Sequence, residues 1–317
     1  MRKALALLAL AACMATREEV TTEAKLELAA TALTEGRLEE AVELVADARR
    51  RDPRSIAAAQ WSATIADMLW QDDHAEREQT AAIRLARARG VDEQTLAALR
   101  GRLGDLLFQA GQWGRSSAPL LAGVPAPEAG ERRAAFATLA SALPFLRRFA
   151  GPLVTEQPLL PGDVPEFLCG SNGRVRPFAI DTGTSMTTVA RGFAEELGVR
   201  SKRPAGAAID GAGRSLAVEI GLLPQFTIGD VEIGSIPVLV VDDAALRLQD
   251  LHGGPERVPR GVIGLDLLAA CRLTLDPERR SVVLELPQAL PESQSVQCVR
   301  AEGRCLVPVV IEGVRLW

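Results

Sequence analysis

Phe178-Ala179-Ile180-Asp181-Thr182-Gly183-Thr184-Ser185 is the stretch on which the reading of the second half of this chain turns. Three apolar residues of strand character run into an acid, followed at once by a hydroxyl side chain and a glycine. Further β-type runs surround it, at 215–220, 224–228, 236–241, 272–275 and 281–286, with turns such as Gly229-Asp230 between some of them. Two short helices, Ala190–Leu197 and Leu265–Ala270, interrupt an otherwise all-β pattern. Upstream, Gly151-Pro152, Pro158, Pro161-Gly162 and Pro165 break the preceding periodicity and mark 151–163 as a linker.

Before that linker the chain has a different character. From Thr22 to Arg148 it is rich in Ala, Leu, Glu, Gln and Arg, with apolar residues every three to four positions. Leu28-Ala29, Gly36, Leu38, Ala41, Ala48 and Pro53 fall at the separations of a tetratricopeptide-type helical hairpin. A second match lies at Leu103-Gly104, Phe108, Gly111, Trp113 and Ser116, and 61–89 reads as a degraded pair between them. Stacked hairpins bury a shared core and leave a face for a protein partner, or they serve only to space the second domain. The expected architecture is therefore multidomain: an α-helical repeat array over 22–150, then a β domain over 164–290.

Composition narrows the chemistry. The chain has 317 residues and a net charge of −5, which argues against a nucleic-acid partner. It holds two histidines, His74 and His252, so a multi-histidine metal centre is out of reach. No Gly-x-Ser-x-Gly elbow and no Gly-Lys-Ser/Thr phosphate loop occur, which disfavours a serine hydrolase and a nucleotide enzyme. No metal or cofactor is expected.

From Val164 to Leu286 the sequence resembles the retropepsin-like aspartic proteases. Three ordered elements carry the likeness: Asp181-Thr182-Gly183 leading into a short helix, a glycine-bearing hairpin at Ile209–Arg214, and Val262-Ile263-Gly264 before a helix and a final hairpin. The resemblance implies a closed acid-protease barrel and a peptide or protein substrate. It implies that Asp181 is the catalytic carboxylate and that Thr182, Gly183 and Thr184 form its loop. Thr182 would lock two halves together, and Thr184 would donate its hydroxyl to Asp181. Gly211, Ala212 and Gly213 would form the flap, and Val262, Ile263 and Gly264 would support the loop from behind. Such catalysts pair two carboxylates that share one proton: one activates water, the other protonates the leaving group.

This β domain supplies a single Asp-Thr-Gly. Asp210, Asp230, Asp242, Asp243 and Asp266 lack the Thr-Gly context. A homodimer would bring two Asp181 side chains to a twofold axis. An intramolecular second lobe is the other source, because Val307-Pro308-Val309-Val310-Ile311-Glu312-Gly313 resembles Val164-Pro165-Glu166-Phe167-Leu168-Cys169-Gly170. If that repeat continues, a further Asp-Thr-Gly follows within about ten residues of Trp317, and 291–317 begins a second lobe. Otherwise Cys298–Trp317 is a terminal strand pair that could pair across a dimer.

The first residues read as an address. Met1-Arg2-Lys3, an apolar run from Ala4 to Ala12 and Cys13 make a signal peptide at 1–12 and a lipobox at Leu10-Ala11-Ala12-Cys13. Acylation of Cys13 would anchor the chain to a membrane in the bacterial envelope, with 13–21 as the tether. An ordinary secretory signal is the alternative. Cys298 and Cys305 flank a turn-like stretch and are a candidate disulfide, as expected of an exported protein. Cys271, in the apolar run 267–271, reads equally well as a buried thiol. The leading function is an exported, lipid-anchored aspartic endopeptidase. The alternative is an inactive repeat scaffold whose β domain binds peptides or dimerises.

Overall fold

The computed structural model describes residues 20–123, 127–144, 147–152, 154–210, 213–247, 258–286, 298–301, 304–311 and 314–316. The expected signal peptide, Cys13, flap residues Gly211 and Ala212, and His252 lie outside these residues.

Among the described residues seven helices come first: α1 Thr22–Thr34, α2 Leu38–Arg51, α3 Ile56–Met68, α4 Asp72–Ala88, α5 Glu93–Gln109, α6 Trp113–Ala122 and α7 Pro127–Ala140. Local chemistry sets their ends. Thr21, Ser55 and Asp92 cap α1, α3 and α5 by accepting from Ala24, Ala58 and Thr95 N–H at 3.2, 3.1 and 2.8 Å. The helix that follows each of these starts without a side-chain cap, straight after a left-handed residue. Those residues are Gly36, Trp70 and Gly111, and the next N–H closes the preceding helix onto Ala32, Ala66 and Leu107 C=O at 2.7, 2.8 and 2.9 Å. Three hairpins are thus built alike. Ala29, Ala32, Ala41, Ala48 and Ala58 have no exposed surface, so the paired helices approach closely.

The remainder is mostly β. The main sheet contains ten strands in the order β1-β9-β8-β3-β4-β11-β5-β10-β7-β6. These are β1 Phe149–Ala150, β3 Glu166–Ser171, β4 Arg174–Ile180, β5 Thr188–Ala190, β6 Arg200–Ile209 and β7 Ser215–Leu223. With them go β8 Phe226–Ile228, β9 Val231–Ile233, β10 Ile236–Val241 and β11 Gly261–Ile263. A second sheet joins β12 Arg272–Asp276, β13 Ser281–Glu285 and β2 Val154–Pro158. Its register pairs Ser281 with Pro158 and Glu285 with Val154. The segment 151–163, read from sequence as a linker, therefore carries a sheet strand, and β1 precedes it by pairing with β9. Two further hairpins follow among the described residues, β14 Val299–Ala301 with β15 Arg304–Leu306 and β16 Val309–Ile311 with β17 Val314–Leu316.

Phe178, on β4, centres the core of this region and is fully buried. Its ring meets Phe226 and Phe193 edge-on, with centroids 5.4 and 6.3 Å away. Phe193 lies on the short helix α8, Arg191–Glu196. The helical array leans on the edge strand β6 through α7, where Arg132 donates to Ala207 C=O at 2.6 Å. That contact covers an otherwise unpaired strand edge.

Candidate active site

The site forms where two parallel strands end together. β11 lies beside β4 in parallel register, Gly261 against Phe178 and Ile263 against Ile180, and antiparallel to β5 on its other side. Gly261 is required by the packing: a Cβ there would stand 2.1 Å from the Phe178 ring. At the end of the pair, Asp181 N–H donates to Ile263 C=O at 3.1 Å, which pins the start of the loop to β11.

The loop then folds around its own carboxylate. Asp181 Oδ1 accepts from Gly183 N–H and Oδ2 from the Thr184 hydroxyl, both at 2.7 Å. An alanine Cβ at 183 would stand 3.0 Å from Asp181 Oδ1, so glycine suits the backbone's close approach. The side chain is therefore oriented from both oxygens while the residue stays exposed, as do Thr182, Gly183 and Ser185.

A second set of bonds laces this loop to the turn after β11. Leu265 N–H donates to Thr184 C=O at 2.9 Å, and Asp266 N–H to Ser185 C=O at 3.2 Å. In return, Asp266 Oδ1 accepts from Thr187 N–H, from the Thr187 hydroxyl and from Leu267 N–H at 2.8, 2.9 and 3.1 Å. Gly264 N–H donates to Thr187 Oγ1 at 3.3 Å. Of Val262, Ile263 and Gly264, expected from sequence to support the loop, Ile263 bonds Asp181 through its C=O and Gly264 bonds Thr187 through its N–H, while Val262 pairs with Ala179 and Thr188 in the sheet.

Asp266 and Thr187 are the residues that sequence reasoning missed. Sequence context brings Asp266 forward only as a second acid, whereas its carboxylate turns inward to Thr187. Its position two residues after Gly264 was the available signal. Asp266 is half-buried as a residue, but its Oδ2 reaches no solvent and has no hydrogen-bond partner. Burial pushes its pKa up to about 6, against the opposing pull of the Thr187 hydroxyl bond and the Arg147 charge. Arg147 is half-buried, desolvation lowers its pKa, and its backbone N–H donates to Gly111 C=O of the helical array at 2.9 Å.

The remaining predicted residues fall as follows. Gly213 closes the β6–β7 turn, donating to Asp210 C=O at 3.0 Å, while Arg214 N–H and Nε reach the Asp210 carboxylate at 2.8 and 2.7 Å. Thr182 C=O accepts from Cys305 N–H at 3.5 Å. Cys298 and Cys305 are free thiols in hydrogen-bond contact; burial, aided by the Cys298 thiol, pushes Cys305 up to about 11. Cys169 is a buried free thiol on β3, and burial holds its pKa well above the usual value. Cys271 is also free. Among the described residues no cluster of three or more His, Cys, Asp or Glu side chains is arranged to hold a metal.

The comparisons with known proteins bear on this region. Residues 169–267 match the family model described as aspartyl protease. Among solved structures, the chain is similar to a retropepsin-like aspartic protease from Rickettsia conorii. The match has 19% identity, covers 44% of this chain and 96% of that one, and has a TM-score of 0.31. A search of the curated proteins gives no match. The protease-family likeness thus belongs to the lobe that carries Asp181, and the helical array stands outside it.

Proposed function

We propose that this protein is an aspartic endopeptidase in which Asp181 supplies one of two catalytic carboxylates. The observation that carries the reading is the Asp181 loop itself. An exposed carboxylate stands at the end of a buried strand, held at both oxygens by Gly183 N–H and the Thr184 hydroxyl. It lies within the segment that matches the protease family. A single carboxylate cannot both take a proton from water and give one to the leaving amine in one step, so a partner acid is needed. With it, the ionised member accepts a proton from water as the water oxygen bonds to the scissile carbonyl carbon. The protonated member then donates to the amine nitrogen as the carbon–nitrogen bond breaks.

The second carboxylate comes from a second copy of this lobe, in another chain or further along the same one. Closure of the curled sheet into an acid-protease barrel, with the 209–214 hairpin as flap, completes this reading. So do a tetratricopeptide-like array that engages a protein partner and a lipid on Cys13 that holds the protein at a bacterial envelope membrane.

The reading is tested by hydrolysis of an acid-denatured protein between pH 4 and pH 7. Cleavage blocked by a peptide bearing a hydroxyl in place of the scissile amide is the expected result. For a site shared between two chains, the initial rate at low concentration rises with the square of protein concentration. For a site completed within one chain it rises linearly. Absence of cleavage at every concentration would instead favour the inactive scaffold.

A further inference from the structure

The turn between α3 and α4 departs from its two equivalents. Gly36 and Gly111 take the left-handed conformation in the other hairpins, at φ 73° and 72°, whereas here Trp70 takes it at φ 59°. A bulky side chain is costly in that conformation and persists where surrounding contacts hold it. The Trp70 ring is met by a buried arginine. The guanidinium of Arg300, from β14, lies over the Trp70 ring with Cζ 4.6 Å from the centroid.

The same guanidinium is met by two carboxylates. Its Nε donates to Asp67 C=O at 3.2 Å, its Nη2 lies 2.8 Å from Asp67 Oδ1, and Nη2 also donates to Asp72 Oδ1. Arg102 balances the other oxygen of Asp67 at 2.8 Å. The side chains of Arg300 and Asp67 are only 9% and 11% exposed. A cation drawn this far from water needs paired charge, and the combination of π face and carboxylates suits a planar guanidinium better than an ammonium.

Arg300 is paired across the hairpin with Cys305, the residue whose N–H donates to Thr182 C=O. One rung of β14–β15 is therefore gripped by the helical array on one strand and rests on the Asp181 loop with the other. We infer that the α3–α4 corner is an arginine-recognition site for this hairpin, and that through it the array positions the Asp181 loop. Arg300 is a positioning residue, and Trp70 is the turn residue that makes its pocket. The inference concerns the geometry of the loop and stands apart from whether that loop hydrolyses peptides.

Backbone amide exchange and the amide NMR signals of Gly183 and Thr184 test it in the full chain. Arg300→Gln is expected to speed exchange over 299–306 about ten-fold and to shift both loop signals. Arg300→Lys, which keeps the charge but loses the fork and the stacking surface, restores them only in part. Trp70→Gly restores the turn residue of the other two hairpins, so it gives a folded protein in which the same changes are read should Arg300→Gln not fold. Faster exchange in the hairpin with unmoved Gly183 and Thr184 signals would overturn the coupling. Unchanged exchange over 299–306 in these variants would overturn the pocket itself. Loss of peptide hydrolysis in the wild type would remove the proposed enzyme and leave this result standing.

Discussion

Gly264→Ala is expected to lower stability in urea unfolding by about 1–3 kcal/mol and to slow peptide hydrolysis about a hundred-fold. The added Cβ would stand 2.6 Å from Met186 C, 2.8 Å from Met186 O and 2.9 Å from Thr184 O. All three are backbone atoms, so no side chain can swing aside to relieve the contact. Relief has to displace 184–186, and that segment carries the hydroxyl that holds Asp181 Oδ2. Gly173→Ala is the natural comparison. Gly173 has φ 75° in the β3–β4 turn, with nothing within 4 Å of the added atom. Its replacement costs about 1 kcal/mol of backbone strain and leaves hydrolysis unchanged. Equal effects on hydrolysis from the two substitutions would contradict the packing account of the loop.

Asp266→Asn is expected to change how stability depends on pH. The folded pKa near 6 stands above the ordinary value of 3.8 that the unfolded chain retains. Between those values the folded state holds more of this proton than the unfolded state, so stability falls as pH rises through the window and stays lower above it. The shift corresponds to roughly 3 kcal/mol. Asparagine has no proton to lose and still presents an acceptor to Thr187. The variant should therefore gain on the wild type by up to that amount between pH 4 and pH 7. The Arg147 charge and the Thr187 hydroxyl bond already pull the acid's pKa down, so they are counted within the shift. Urea unfolding at the two pH values measures it, and identical pH slopes for the two proteins would contradict a buried, proton-holding Asp266.

The sequence carried the Asp181 loop clearly because its chemistry is local. Four consecutive residues contain the carboxylate and both of its hydrogen-bond donors, and the apolar run before them ends the buried part of β4. Val262-Ile263-Gly264 stood out only through the family resemblance, because β11 is three residues long and too short for periodicity to mark. β6 was not read as a strand at all. It is an edge strand that buries Ala205 alone among its hydrophobic residues and contains Pro204, so it has neither alternation nor a β-rich composition. β2 was hidden by the prolines and glycines around it, and only its pairing with β13 reveals it. The Arg300 pocket depends on residues more than two hundred positions apart, and Trp70 gave no sign that it stands in a glycine's place until the three turns were compared.

These long-range contacts change how the helical array is viewed. Arg132 covers the edge of β6, Arg147 lies within electrostatic reach of Asp266, and Arg300 enters the α3–α4 corner. Each contact links the array or its exit to an element near the candidate site: the strand before the β6–β7 turn, the turn after β11, or the hairpin on Thr182. A spacer would need none of these.

The measurement that bears most directly on the central claim is hydrolysis of an acid-denatured protein by Asp181→Asn beside the wild type. Both are compared at equal concentration across pH 4–7, with urea unfolding to establish that the variant is folded. The carboxylate account predicts that the wild type cleaves and that the folded variant falls to the background rate. Cleavage by Asp181→Asn at the wild-type rate would contradict it.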